Sequence, residues 1–141
     1  MIYIDKLIQL AECADAILCD AWGVIHNGIT AYEPAVAALE SMREMGKPVI
    51  ILTNAPRTRI QLSKHFASIG VDERSYDSIV SSGEIGRESI EYRVCLNCLH
   101  LGPKVDEELF TGTKVRLVHS VTDADFVFNT GLRDNTRENS L

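Results

Sequence analysis

Two short runs of apolar residues, each ending in polar residues, limit the folds open to this chain more than any other feature. The first run occupies residues 16–19 and ends at Asp20, and the second occupies residues 48–52 and ends at Thr53 and Asn54. Short apolar runs without polar interruption are typical of strands buried on both faces of a parallel sheet. The chain is therefore predicted to contain two such strands, each with polar residues at its carboxyl end.

Helical and strand patterns alternate along most of the chain. The patterns predict helices over residues 4–14, 34–45, 58–69, 82–92 and 105–110. They predict strands over residues 16–19, 48–52, 78–80, 94–101, 115–118 and 126–128. Residues 133–141 are polar and aperiodic, which predicts a loop or a frayed end. This alternation indicates an α/β fold with a Rossmann-like, doubly wound parallel sheet.

Length, charge and hydropathy exclude several classes of protein. The 141 residues suit one ordinary domain, and a net charge of -6 gives no broad attraction for nucleic acid or anionic membranes. The sequence holds no apolar run of the ~18 residues that a membrane span needs, and its first ten residues do not resemble a secretory signal. The four cysteines lack the spacing of a disulfide framework, and Cys95 and Cys98 are interpreted as ordinary core residues. We therefore expect a cytoplasmic protein.

The polar residues that end the first two strands are the candidates for chemistry. Because ligands bind at the carboxyl ends of strands in open α/β sheets, Asp20, Thr53 and Asn54 would share one edge. A carboxylate there can attack phosphorus or coordinate Mg²⁺, and a nearby hydroxyl and amides can hold phosphoryl oxygens. The alternative is that Asp20 only caps a loop and Thr53 only ends a strand. The pattern alone does not separate these interpretations.

Three stretches resemble motifs of the haloacid dehalogenase (HAD) superfamily of hydrolases. Residues 16–28 read AILCDAWGVIHNG and resemble its first motif, and residues 49–55 read VIILTNA and resemble its second. The amino-acid sequences of both motifs, and the Ser-Ser-Gly at residues 81–83, are similar to those of the NagD-like, class IIA branch. The resemblance runs from about residue 17 to residue 90 and continues weakly to residue 131. It implies that residues 1–92 are the first half of a HAD core and that residues 93–141 begin an α/β class-II cap.

The resemblance also implies roles for individual residues. Asp20 would be the nucleophile that forms an aspartyl-phosphate, and it would bind Mg²⁺ together with the backbone carbonyl of Trp22. Thr53 and the amide of Asn54 would bind the phosphoryl oxygens of a small phosphorylated metabolite. Asn27 and Gly28 would complete the phosphate-binding set by shaping the loop over the site. Arg57 is interpreted as a solvated residue near a helix start.

The chain departs from the pattern of family phosphatases in two places. Trp22 stands where those enzymes carry a second Asp as general acid and base, and an indole N–H cannot shuttle a proton near neutral pH. His26 could substitute for that acid, although a loop histidine with a local hydrogen bond is the more common arrangement. The third and fourth motifs of the family, a Lys and an acidic pair, are not found after Gly131, so we expect a truncated, N-terminal fragment.

These departures leave two other functions open. One is a catalytically inactive remnant with a binding or structural role. The other is a dehalogenase-like hydrolase, because some relatives with an aromatic residue at the position of Trp22 are dehalogenases. A half-core would also leave a sheet uncovered, which predicts self-association.

Overall fold

The computed structural model describes Gln9, residues 13–94 and residues 96–131. In chain order the strands are β1 (Ile17–Asp20), β2 (Val49–Thr53), β3 (Ser78–Ser81), β4 (Asn97–Leu101), β5 (Arg116–Val118) and β6 (Phe126–Asn129). The α-helices are α1 (Glu33–Glu44), α2 (Arg59–Ile69) and α3 (Ser82–Glu91), and short 3-10 segments occupy Glu73–Ser75, Lys104–Phe110 and Val121–Asp123. The described part of the chain forms two compact units.

The first unit combines the described residues up to Asn54 with Arg59–Ser81. Its three strands are parallel and lie in the order β1-β2-β3. The register places Asp20 beside Leu52, and Thr53 beside Ser81. All three strands therefore end at the same edge of the sheet, as the sequence predicts for β1 and β2.

One face of this first sheet is buried and supplies the core of the unit. Helix α1 begins next to Pro34, whose fixed φ suits the first turn, and a left-handed Gly46 follows its end. Contacts join α1 to β2 and α2 to β3. The fully buried side chains on this face of the sheet come from its central and outer strands: Val49, Ile51 and Ile79. Each full burial of this kind stabilises the fold by about 1.5–3 kcal/mol.

Asp77 fixes the start of the central strand β2. Its carboxylate accepts a hydrogen bond from the Val49 amide at 2.7 Å, and its own amide donates to the Val49 carbonyl at 2.8 Å. The guanidinium of Arg43, on α1, donates to the other carboxylate oxygen through two nitrogens at 3.1 and 2.8 Å. The bond from Val49 and the contacts with Arg43 hold the pKa of Asp77 below its ordinary value. One side chain thus ties β2, β3 and α1 together.

The second unit contains Ala55–Thr58 and the described residues from Ser82 onward. Its three strands are also parallel, in the order β5-β4-β6. Its buried core consists of Ile90, Cys98, Leu109 and Phe110, with Val115, Leu117, Phe126 and Phe128 packed against it. At the start of α3 the Gly83 amide donates to the Ala55 carbonyl, and a Cβ at Gly83 would overlap the backbone of Arg57. This close approach requires a glycine.

Comparison with the sequence analysis confirms the α/β class and the parallel, Rossmann-like strands. The segment predicted as a helix over residues 105–110 is a 3-10 segment, Lys104–Phe110, and the fourth strand begins at Asn97 rather than at residue 94. The helix predicted over residues 4–14 falls mostly outside the described residues, and the loop predicted over residues 133–141 falls wholly outside them. The two compact units place α3 in the second unit, whereas the core–cap boundary at residues 92 and 93 stays a prediction.

Candidate active site

Polar residues gather at the edge where the three strands of the first sheet end. Asp20 ends β1 and its side chain is exposed, while Thr53 ends the adjacent strand β2 and is half-buried. Asn54 follows directly and is exposed. Ser81, which ends β3 and is buried, lies beside Thr53 in the register. Since neighbouring strands lie about 4.8 Å apart, the structure brings the predicted nucleophile and the predicted phosphate-binding hydroxyl to one edge.

The carboxylate of Asp20 is oriented by the chain that follows it. Its Oδ1 accepts a hydrogen bond from the backbone amide of Ala21 at 2.8 Å. Ala21 is itself buried, and its carbonyl accepts hydrogen bonds from the amides of Val24 and Ile25. The turn after β1 is therefore anchored in the core, while the carboxylate remains at the surface. This arrangement presents a fixed carboxylate to solvent.

The loop that follows β1 is held by its own polar groups. The Oδ1 atom of Asn27 accepts hydrogen bonds from the amides of Ile29 and Thr30 at 2.9 and 2.8 Å. Gly28 has a φ of +91°, in the left-handed region that favours glycine, and a Cβ there would lie 3.4 Å from the Trp22 indole nitrogen. Asn27 and Gly28 thus determine the shape of the loop, and their part in binding phosphate stays a prediction.

His26 is a buried support of the same loop. Its Nδ1 accepts a hydrogen bond from the Gly28 amide at 2.8 Å, and its ring packs 5.5 Å from the Phe66 ring and 5.9 Å from the His65 ring. Burial, followed by the proximity of His65, lowers the pKa of His26, although Asp20 acts in the opposite direction. The lowered pKa favours the neutral imidazole, and the hydrogen bond from the Gly28 amide to Nδ1 assigns its proton to Nε2.

Trp22 and Arg57 lie in different surroundings. The Trp22 side chain is 67% exposed, two residues beyond Asp20, although Ala21 just before it and Ile25 three residues after it are buried. An exposed indole offers an apolar surface to a ligand but no acid or base. Arg57 is half-buried in the second compact unit, so it is less solvated than predicted.

A metal ion at this edge would depend on few protein ligands. Within the described residues, no group of three or more His, Cys, Asp or Glu side chains could hold a metal. Mg²⁺ is commonly bound through one or two carboxylates, with water and substrate phosphate completing the shell. The exposed carboxylate of Asp20 and the carbonyl of Trp22 fit that partial donor set.

Sequence reasoning missed one residue near the candidate site. Ser81 enters the sequence analysis only as the first residue of the Ser-Ser-Gly motif, although it ends a third strand at the same edge. His26 has the local hydrogen bond that is expected of a loop histidine, because its bond to the Gly28 amide spans two residues within one turn. The buried Cys98 agrees with its prediction as a core residue, while Cys95 lies outside the described residues.

Comparison with known proteins identifies the family. The sequence model of the family described as haloacid dehalogenase-like hydrolase matches residues 17–116. This chain belongs to that family. The match covers both motif-bearing strands of the first unit and continues through β4 of the second unit.

Three proteins illustrate what this chain is similar to. A hydrolase of the haloacid dehalogenase-like family from Brucella suis 1330 superimposes with a TM-score of 0.87 and 36% identity, covering 96% of this chain and 51% of that one. NagD from E. coli K-12 superimposes with a TM-score of 0.65 and 21% identity, covering 84% of this chain and 47% of that one. Phosphoglycolate phosphatase 2 of Arabidopsis thaliana is 35% identical over 75 residues, which are 52% of this chain and 25% of that protein. These likenesses agree with the haloacid dehalogenase-like family that the sequence model identifies, and membership of the NagD-like, class IIA branch stays a prediction.

The HAD relatives are longer than this chain. It spans about half the length of the Brucella suis structure and a quarter of the Arabidopsis thaliana phosphatase. In the part of the chain that the structure describes, no helix has both the length and the apolar character needed to cross a membrane.

Proposed function

We propose that the protein carries out Mg²⁺-dependent phosphatase chemistry on a small phosphorylated metabolite, through an aspartyl-phosphate on Asp20. The observation that carries this proposal is the exposed Asp20 carboxylate at the end of β1, adjacent to the end of β2 at Thr53. The phosphatase named among the relatives and the HAD motifs support the same chemistry. We place this activity in the cytoplasm.

Asp20 would act first as a nucleophile. One carboxylate oxygen attacks the phosphorus atom, the bond from phosphorus to the leaving oxygen breaks, and an acyl phosphate forms. Water then hydrolyses the acyl phosphate and restores the carboxylate. Because the Ala21 amide binds Oδ1, Oδ2 is the oxygen that we assign to the attack. The fixed turn holds that oxygen in place during both steps.

The other residues would stabilise the transferring group. The Thr53 hydroxyl and the Asn54 amide would donate hydrogen bonds to the phosphoryl oxygens, where negative charge accumulates. Asp20 and the Trp22 carbonyl would hold Mg²⁺. A bound Mg²⁺ neutralises charge on the phosphoryl oxygens and orients the group for in-line attack.

The missing general acid restricts the substrates. Trp22 cannot donate a proton to a departing alkoxide, and His26 is buried with Nδ1 engaged by the Gly28 amide. General acid catalysis is typically worth 10²–10⁴ in rate. We therefore expect phosphate esters with acidic leaving groups, such as aryl or acyl phosphates, to react faster than alkyl phosphates.

A dehalogenase-like reaction is the second candidate, and the exposed indole of Trp22 favours it. Asp20 would attack carbon, and halide would leave with the bonding electron pair without needing a proton. Such a reaction requires no general acid at the position of Trp22. Comparing halide release from haloacids with phosphate release from aryl phosphates separates the two reactions. The third candidate, an inactive remnant, predicts neither product.

Thermal unfolding with beryllium fluoride tests the proposed site. Beryllium fluoride with Mg²⁺ mimics a phosphoryl group on a carboxylate, and a ligand at 100 times its Kd adds about 2.7 kcal/mol to the folded state. We expect the melting temperature of the chain to rise with both components together, and the rise to disappear in Asp20→Asn. Asp15→Asn, which alters an exposed carboxylate just before β1, is the matched control and should shift like the parent chain.

Two outcomes would contradict the assignment of Asp20. One is an unchanged melting temperature in the parent chain, and the other is an equal shift in Asp20→Asn. Phosphate release from p-nitrophenyl phosphate, measured on the same variants, then shows whether a site that binds the ligand also catalyses hydrolysis.

A further inference from the structure

The loop that follows β1 contains the only asparagine in the sequence that a glycine follows, Asn27 before Gly28. Asn27 is exposed, and Gly28 has no side chain to hinder its own backbone nitrogen. Such a nitrogen can attack the side-chain carbonyl carbon of the preceding asparagine, which closes a succinimide ring and releases ammonia. The attack is accelerated by a base that takes the amide proton and by donors that stabilise the oxygen on which negative charge develops.

His26 is placed to act as the base. Its Nδ1 accepts a hydrogen bond from the Gly28 amide at 2.8 Å, so the unprotonated nitrogen of the ring faces the proton that the attack displaces. The side chain is 5% exposed, and its ring packs 5.5 Å from the ring of Phe66, which fixes its orientation. An N–H bond lies in the plane of its peptide group, whereas the nitrogen attacks perpendicular to that plane. The imidazole can therefore hold the proton without blocking the attack.

The chain that follows Asn27 supplies the donors. The Asn27 Oδ1 atom accepts hydrogen bonds from the amides of Ile29 and Thr30 at 2.9 and 2.8 Å, and it lies 3.4 Å from the donating hydroxyl of Thr30. Because a backbone amide can only donate, the side-chain atom that these amides contact is the oxygen and not the nitrogen. These donors polarise the side-chain carbonyl and stabilise the charge that forms on its oxygen during attack.

We propose that Asn27 is a site of spontaneous deamidation in the folded protein, and that His26 is the base that accelerates it. The Gly28 nitrogen forms a bond to Cγ of Asn27, and its proton passes to Nδ1 of His26. The bond from Cγ to Nδ2 then breaks, the imidazole returns the proton to the leaving nitrogen, and ammonia departs into solvent. Water opens the succinimide and leaves an aspartate or an isoaspartate at position 27. The loop after β1 thereby gains a negative charge.

Asn129, in the second unit, is an internal comparison. It is also exposed, and its Oδ1 accepts a hydrogen bond from the Gly131 amide at 3.0 Å. The next residue is Thr130, which is branched at Cβ, and its amide donates to the carbonyl of Leu101 at 2.9 Å. A carbonyl oxygen is a far weaker base than an imidazole nitrogen. Asn129 therefore shares the exposure and the side-chain bond of Asn27 but lacks the following glycine and the base.

Incubation of the parent chain near pH 7, followed by peptide mass spectrometry, measures the loss of both asparagines in one sample. We expect Asn27 to convert faster than Asn129, and faster in the folded chain than in urea, where only the local sequence acts. His26→Phe keeps an aromatic ring but removes the base, and it should slow the conversion by about tenfold or more, because a positioned base is typically worth ~10²–10⁴ in rate. His100→Phe is the matched control, since His100 is also 5% exposed but belongs to the second unit. It should leave the rate at Asn27 unchanged.

The direction of the change separates a base from a support of the loop. If His26 only restrained the loop, its removal would free Gly28 and speed the conversion, so a rate in His26→Phe equal to or above that of the parent chain would overturn the inference. In urea the two chains should convert at similar rates, because the imidazole no longer faces the amide. If His26→Phe does not fold, the parent chain alone decides, and slower conversion in its folded state than in urea would overturn the inference. None of these measurements involves turnover, so the result holds whether or not Asp20 is the nucleophile.

Discussion

The two compact units use the same device to position their central strands, but with different support. In the first, Asp77 stands one residue before β3 and bonds to both backbone groups of Val49, at the start of β2. In the second, Asp125 stands one residue before β6, and it accepts from the Asn97 amide at 2.9 Å and donates to the Asn97 carbonyl at 2.8 Å. We call each arrangement an aspartate clamp.

The difference between the clamps lies in the charge that faces each carboxylate. Arg43 makes an ion pair with Asp77 at 2.8 Å and also donates to the carbonyls of Glu73 and Arg74. Among the described residues, no ion pair involves Asp125. A clamp can therefore set the register of a parallel sheet without a counter-charge, and Arg43 adds stability to an alignment that the hydrogen bonds already define.

The carboxyl ends of the strands differ as well. At the end of β1 the Asp20 carboxylate is exposed, whereas at the ends of β4 and β6 the ring of His100 is buried and bonds to the Thr130 hydroxyl at 2.8 Å. Gly102 is required there because a Cβ would overlap the Thr130 side chain. The comparison indicates that the first sheet presents its strand ends to a ligand, while the second ties its strand ends to each other.

Removing each aspartate clamp should produce the largest difference between the two units, measured as the loss of local stability at the start of the central strand. Hydrogen bonds to a charged group contribute about 1.5–3 kcal/mol, and partial exposure reduces this. We expect Asp77→Ala to lower the opening free energy of the Val49 amide by about 2 kcal/mol, and Asp125→Ala to lower that of Asn97 by about 1 kcal/mol. Native-state hydrogen exchange measures both, one amide at a time.

The Arg43→Met variant measures how much stability the counter-charge adds to the hydrogen bonds of the first aspartate clamp. This variant should lower the protection of the Val49 amide by less than Asp77→Ala does, because the bond from Val49 to Asp77 remains. Equal losses in Asp77→Ala and Asp125→Ala would show that Arg43 contributes nothing, and the contrast between the two clamps would be wrong.

The next largest expected effect is the pH dependence of the stability that Asp77 contributes to the first unit. The bond from Val49 and the contacts with Arg43 hold the pKa of Asp77 below its ordinary value of 3.8. The clamp therefore contributes its full stability above pH 3.8 and loses it as the pH falls through the lower, folded value. Urea unfolding of the parent chain and of Asp77→Asn should differ by a constant amount from pH 5 to 7. The difference should shrink below pH 3.8, and a difference independent of pH would contradict a depressed pKa.

The clamps also show what the sequence could and could not predict. Helix α1 was predicted over residues 34–45 because Pro34, Gly46 and the apolar periodicity are local signals, and it occupies Glu33–Glu44. The bond from Asp77 to Val49 spans 28 residues, and so does the bond from Asp125 to Asn97. Nothing local distinguishes these aspartates from residues of an ordinary turn. The order of the strands could not be predicted from local patterns either, because it depends on hydrogen bonds between strands that are far apart in the sequence.

The candidate site was predicted in part for the same reason. Asp20 and Thr53 end apolar runs, so their common edge followed from the parallel arrangement alone. The exposure of Leu18 and Leu52 on the first sheet and the burial of His26 depend on which elements cover them. Exposure and burial of this kind are properties of tertiary packing, which cannot be predicted from the local patterns of one sequence.

The smallest effect concerns the two buried histidines, one in each unit. The Nδ1 atom of His26 accepts from the Gly28 amide, a donor that cannot reverse its role, whereas the Thr130 hydroxyl beside His100 can donate or accept. Burial and His65 lower the pKa of His26, so its folded state disfavours protonation. The stability that it contributes is complete above about pH 6.5 and declines as the pH falls through the folded pKa.

An NMR titration of the imidazole resonances measures this difference directly. We expect His26 to titrate below pH 6.5, and the Gly28 amide resonance to shift at the same midpoint because protonation of Nδ1 breaks their bond. The amide of Gly131, which bonds to Asn129 rather than to a histidine, serves as the reference in the second unit. A His26 midpoint at or above 6.5 would show that the ring is solvated and that the loop after β1 is held by Asn27 without it.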